Sequence, residues 1–201
     1  MALGRNVQIP LCFGMTNTIG HGGRVTTYFQ PLTIGEQTYS LSHLEPVTFS
    51  FFSKAANREL KVHVTYSNHC FTSSWEASRR PEGQPILRDS GGRGRTFCEI
   101  RYRLSLGLPE VISRLNSAQC KVWQTHARRN WAYSVRVEDP AGPYHVFLGV
   151  SRAARERVQD IDVMVESAYH ETEGAPKLLG RMGFWMLCAN TYLRKPISTK
   201  R

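Results

Sequence analysis

The stretch that decides the fold reads WAYSVRV (Trp131–Val137), YHVFLGV (Tyr144–Val150) and IDVMVESAY (Ile161–Tyr169). Each segment alternates with the two-residue period of a strand. Tyr133, Val135 and Val137 share one face of the first, Tyr144, Val146, Leu148 and Val150 one face of the second, and Ile161, Val163 and Val165 one face of the third. The opposite faces carry Ser134 and Arg136, then His145, then Asp162 and Glu166. One apolar and one polar face is the pattern of an antiparallel sheet covered on one side and hydrated on the other.

Working outward, KVWQT (Lys121–Thr125) adds a strand, and HARRN (His126–Asn130), DPAG (Asp139–Gly142) and Ser151–Asp160 supply turns. In LGLPEVISRLN (Leu106–Asn116), Leu108, Val111, Ile112 and Leu115 form a helical stripe, with Pro109 suited to the first turn. That spacing predicts the principal helix, laid over the apolar face of the sheet. Phe97–Leu104 reads as extended or turn-like, and GFWMLCANTY (Gly183–Tyr192) as a last strand. Towards the N-terminus, LKVHVTY (Leu60–Tyr66) alternates clearly, and Gln37–Phe52 is rich in β-formers with a break at Pro46. The expected class is α+β: an antiparallel sheet of four to five strands packed by one principal helix, with an N-terminal β part. Glycines at 14, 20, 22 and 23 mark residues 1–23 as a flexible arm, residues 24–195 read as one domain, and residues 196–201 as a basic tail.

A formal charge of +10 and a pI near 9.7 favour anionic partners, above all nucleic acid. RNA is expected over DNA because the acid–base residues on the polar face suit cleavage through a 2′-hydroxyl. No apolar run approaches the ~20 residues of a membrane span, and the N-terminus lacks a signal-peptide layout, so the expected compartment is the cytoplasm with no membrane partner. Five cysteines without a CxxC pair fit reduced thiols. The seven histidines are scattered, and no GxGxxG, P-loop or GxSxG occurs, so neither metal nor cofactor is expected.

If the three turns close symmetrically, Arg136 lies opposite His145, His145 opposite Glu166, and Lys121 opposite Arg136. The four would form one row with neighbours ~5 Å apart. Glu166 and His145 suit general base and general acid in RNA cleavage, with Arg136 and Lys121 on the phosphate. Trp123 and Phe147 fall on the same face and suit base stacking. Ion-paired decoration of a solvent face would use the same residue types. A second candidate is SNHCFT (Ser67–Thr72): His69 follows a strand end, whereas Cys70 suits a core position. Ser73–Arg95 reads as a long basic loop whose Arg79, Arg80, Arg93 and Arg95 suit phosphate contacts.

Four segments carry a resemblance: Val47–Thr72, Ile100–Leu115, Tyr144–Val150 and Val165–Tyr169. In this order they resemble a family of mostly uncharacterised bacterial and phage-borne proteins, some labelled stationary phase growth adaptation protein. The helix followed by an antiparallel sheet is also similar in architecture to the barnase–EndoU–colicin E5/D–RelE group of metal-independent RNases. That second resemblance implies Glu, Arg, His and Lys on the sheet face. The expected function is a metal-independent endoribonuclease, toxin- or defence-like, with a protein inhibitor or antitoxin as a further partner. The alternatives are a non-catalytic nucleic-acid-binding or regulatory module, and an interaction subunit that docks an acidic protein through its basic loop.

Overall fold

The computed structural model describes residues 28–76, 84–126, 130–154, 158–173, 175–197 and 199. Strands β1 (Leu32–Ile34) and β2 (Gln37–Tyr39) pair as a small hairpin. β3 (Val47–Ser53) and β4 (Arg58–Tyr66) follow, then the short strands β5 (Thr72–Ser74), β6 (Leu87–Arg88) and β7 (Gly94–Phe97). Helices α1 (Glu99–Ser105) and α2 (Leu108–Ser113) lead into β8 (Lys121–Thr125), β9 (Trp131–Glu138), β10 (Ala141–Arg152), β11 (Ile161–His170) and β12 (Leu178–Gly183), and α3 (Phe184–Tyr192) comes last.

The main sheet has seven strands in the order β12-β8-β9-β10-β11-β4-β3. Its ladders are antiparallel except β11 with β4, which is parallel. The expected four-to-five-strand antiparallel sheet packed by one helix is therefore corrected to a larger mixed sheet. The reason is non-local pairing. Ile161, Val163 and Val165 align with Val62, Val64 and Tyr66, and this buried seam joins the N-terminal β part to the meander. Period-two alternation fixes a strand's faces but not its neighbour.

The helices are also redistributed. Phe97–Leu104 is mostly helical, because Arg101 and Ser105 turn inward four residues apart. The stripe at Leu108, Val111 and Ile112 stays helical but short, and it lies against the 3-10 turn Ser42–Leu44. The expected last strand is α3, whose Phe184, Leu187 and Cys188 recur at i, i+3 and i+4 on the buried side. This helix lies against β3, β10 and β11. Ser73–Arg95 is not a continuous loop, since β5, β7 and β6 form a three-stranded antiparallel sheet. Residues 1–23, Arg79 and Arg80 lie outside the described residues. No helix among the described residues is long and apolar enough to cross a membrane.

Candidate functional site

The polar row across the meander does not assemble. The β9–β10 turn holds only Asp139 and Pro140 between Glu138 and Ala141, so Arg136 pairs with Pro143 and His145 with Ser134. On the other side His145 pairs with Tyr169, and the ladder shifts between Phe147 and Leu148, leaving Glu166 in a bulge. β8 meets β9 at Trp123–Ala132, two residues off the register that would set Lys121 against Arg136, and Lys121 pairs instead with Gly183.

Nor is that face wet at its centre. His145 and Phe147 are 6% and 7% exposed. Phe147 stacks on Tyr169 at 5.0 Å and cannot offer its ring to a base. His145 Nδ1 bonds Ser134 Oγ at 2.7 Å, and its buried Nε2 has no partner among the described residues. Burial lowers its pKa, with Glu171 pulling up and His170 down. Glu166 accepts from Asn130 Nδ2 at 2.9 Å and lies over Gly149, where a Cβ would sit 2.7 Å from its Oε1. Trp123 is half-buried, while Lys121 and Arg136 are exposed. The row is thus a set of separate local contacts. His145→Ala is accordingly expected to cost about 1–3 kcal/mol of stability, as a buried ring lost from a packed strand, while leaving any nuclease rate within about twofold. A parallel melt and cleavage assay checks both. The depressed pKa makes the folded state resist protonation, so His145 favours folding above its unfolded pKa of about 6.5 and loses that contribution as pH falls.

A different group does converge. Ser67 caps the 3-10 turn Asn68–Cys70 by accepting from the His69 amide at 3.1 Å, and its hydroxyl donates to the Glu166 carbonyl at 2.6 Å. The turn is thereby fixed to β11. His69 Nε2 meets Asp89 Oδ2 at 3.1 Å. Asp89 sits in the β6–β7 hairpin and gathers its donors: Oδ1 accepts from the Gly91 and Arg93 amides at 2.9 and 3.0 Å, and Oδ2 from Arg93 Nε at 2.8 Å. Gly92, at φ +77°, supplies the left-handed backbone this turn requires. Burial pushes the Asp89 carboxyl up, but the hydrogen bonds from Arg93 and His69 outweigh it and leave the pKa at about 2. An ionised carboxylate only accepts, so the neutral His69 ring donates from Nε2, leaving the lone pair on Nδ1. Among the described residues no group bonds Nδ1, and the side chain is 21% exposed. Burial, with the charge of Arg95 behind it, holds this imidazole below its ordinary pKa against the raising pull of Asp89.

The arginines divide by role. Arg95 is buried and bonds Thr72 Oγ1, Thr72 O and Ser74 Oγ. Arg101, also buried, donates to the His69 and Thr72 carbonyls, both at 3.0 Å. Arg93 keeps 75% of its side chain exposed while its Nε is held by Asp89. The structure therefore groups His69, Arg93 and Arg95 and sets His145, Glu166, Arg136, Lys121, Trp123 and Phe147 apart from them. Sequence reasoning missed Asp89 and Arg101. The DSGG turn inside an arginine-rich stretch was the available signal for Asp89 (Asp and Gly are turn formers), whereas nothing local marks Arg101. Cys70 is fully buried, and burial raises its thiol to about 12 despite Arg101, which leaves no thiolate nucleophile beside His69. A polar cleft of about 390 Å³ lies at the other end of β4, where Asp160 holds Arg58 and the Lys61 amide. Its carboxylate is consumed by those contacts. No group of three or more His, Cys, Asp or Glu able to hold a metal occurs among the described residues.

Comparison with known proteins places the chain. The family model for the YjaZ family matches residues 31–192. The chain is 29% identical over 116 residues to Protein YjaZ of Escherichia coli (strain K12), covering 57% of this chain and 62% of the relative. It thus spans about three fifths of the length of that curated relative. No solved structure matches it with significance. These findings replace both resemblances drawn from the sequence, to proteins labelled stationary phase growth adaptation protein and to barnase-like RNases, neither of which they support. With most of its length matched by one family model, the chain belongs to the YjaZ family.

Proposed function

We propose that the protein is a metal-independent endoribonuclease with His69 as its general base. The single observation that supports this reading is the His69–Asp89 pair: Nε2 is anchored by a carboxylate that also holds the exposed Arg93, and Nδ1 has no hydrogen-bond partner among the described residues. A neutral imidazole oriented in this way accepts a proton at pH 7. In the proposed reaction Nδ1 takes the proton of a ribose 2′-hydroxyl and the 2′-oxygen attacks the adjacent phosphorus. The bond from phosphorus to the 5′-oxygen breaks, leaving a 2′,3′-cyclic phosphate. Water protonates the departing oxygen, and the imidazolium returns its proton to the resulting hydroxide. Arg93 carries the guanidinium fork that suits the non-bridging oxygens as charge builds on them. The formal charge of +10 draws the substrate in.

The test is an end-labelled RNA incubated with the protein in excess chelator, beside the same sequence in all-2′-deoxy form. Cleavage of the RNA alone, leaving cyclic phosphate ends, is the expected result. Equal cutting of the DNA, or loss of activity to the chelator, would sink the mechanism. Arg93→Gln is expected to lower kcat/KM about tenfold and the salt dependence of binding by roughly one counterion, read from steady-state rates at several salt concentrations. A second reading, nucleic acid binding without cleavage, is favoured by the internal hydrogen bonds that occupy Arg95 and Arg101. It predicts salt-sensitive RNA binding that survives His69→Ala with no product formed.

A further inference from the structure

We propose that the Gly94 end of the β5–β7–β6 sheet is a base-stacking shelf for single-stranded RNA, centred on Trp75 and flanked by Arg88. The inference rests on the RNA-directed reading above and names the form of RNA taken. Alternation along β7 puts Arg95 and Phe97 on one face, level with Ser74 and Thr72 on β5, and Gly94 and Thr96 on the other. On that second face Thr96 is buried and the sheet opens to solvent at the Gly94 end. Trp75 lies level with Gly94, its amide donating to the Gly94 carbonyl at 3.2 Å, and Arg88 pairs with Gly94 from the other side. Trp75, Gly94 and Arg88 thus form one cross-strand row, with neighbours ~5 Å apart.

Gly94 is what lets the indole lie down on the strand. A Cβ there would stand 3.2 Å from Trp75 Cβ and 3.6 Å from Ile86 Cγ2. Trp75 still leaves 39% of its surface in water. An indole backed by the strand and open outward is a surface for another planar group. Arg88 is exposed, and its Nη1 is fixed to the Gly92 carbonyl at 2.8 Å, which holds the guanidinium near the hairpin tip that also carries Arg93. The chemistry is a π-face with a cation in the same cross-strand row. It recognises any unpaired base and its phosphates, and rejects a duplex, whose base faces are stacked away.

The probe is a fluorescein-labelled 2′-O-methyl oligouridylate, which lacks the free 2′-hydroxyl and cannot be cut by the proposed reaction. Anisotropy titration is expected to show Trp75→Ala binding roughly tenfold more weakly than wild type, and Trp75→Phe within about threefold. Arg88→Gln is expected to lose about one counterion of salt dependence. The same strand in a blunt duplex is expected to bind more weakly than alone. Should Trp75→Ala fail to fold, quenching of wild-type tryptophan fluorescence by the unlabelled strand, absent in Trp75→Phe, carries the same test. Equal affinity of wild type and Trp75→Ala, equal affinity for duplex, or no binding by wild type overturns the shelf. Strand binding through Trp75 without cleavage of ordinary RNA upholds the shelf and removes the nuclease reading. Cleavage indifferent to Trp75 does the reverse.

Discussion

His69→Ala is expected to lower the rate of RNA cleavage by about 10²–10⁴-fold, the range that one positioned general base supplies, while the chain stays folded. The expectation rests on a single ring nitrogen. Asp89 fixes Nε2, so the proton-accepting lone pair lies on Nδ1, and removing the ring removes the base with no substitute beside it: Cys70 is protonated and buried, and Arg95 and Arg101 cannot accept a proton. The pH profile offers a second check. The imidazole is held below its ordinary 6.5 by burial and by Arg95, so the active neutral form already prevails at pH 7. The rate should be level near neutrality and fall on the acid side, at a pH below 6.5. A rate that instead rises steadily from pH 7 to 9 would assign the base to another group.

Asp89→Ala is expected to destabilise the fold by about 2–4 kcal/mol, because four hydrogen bonds to one buried carboxylate disappear and their donors lose a charged acceptor. Those donors are the amides of Gly91 and Arg93, Arg93 Nε and His69 Nε2. Asp89→Asn keeps an acceptor oxygen and should recover part of the loss. The sign of the pH effect follows from the carboxyl being near 2 in the fold against about 3.9 unfolded. Its contribution is fully present above about pH 4 and is lost as pH falls through 2. Thermal melts of wild type and Asp89→Ala should therefore converge between pH 4 and 2. A gap that persists at pH 2 would place the damage in packing and not in the carboxylate. Cleavage should also slow, since an unanchored His69 samples the wrong tautomer and orientation.

Much of the meander was legible because alternation reports on a strand's own two faces. Tyr144, Val146 and Leu148, with Ile161, Val163 and Val165, are buried as their period required. The same pattern could not report which strand lies alongside, and the parallel seam of β11 on β4 joins residues about a hundred positions apart. Helix α3 reads as a strand from its sequence for a related reason. FWMLCANTY is apolar enough to pass for a strand, and its helical stripe is distinguished only when Phe184, Leu187 and Cys188 are seen to share a buried side. The polar row fails on register: the β9–β10 turn closes on Asp139–Pro140, the β10–β11 ladder starts at Arg152–Ile161 and so is two residues off symmetric closure, and the bulge at Glu166 adds one more.

The sequence by itself determined a basic chain with an alternating β core, a histidine at the end of a strand and arginines concentrated between Ser73 and Arg95. These depend only on composition and on the local geometry of the backbone. Tertiary structure alone decided that His69 meets Asp89, twenty residues away, across a hairpin held by Gly92 and Arg93. It also decided that Arg95 and Arg101 turn inward while Arg93 stays in water, and that His145 is walled in beside Phe147 and Tyr169. A side chain's chemistry is written in its type, but its protonation, tautomer and access to solvent depend on neighbours that only the folded chain brings within hydrogen-bonding distance.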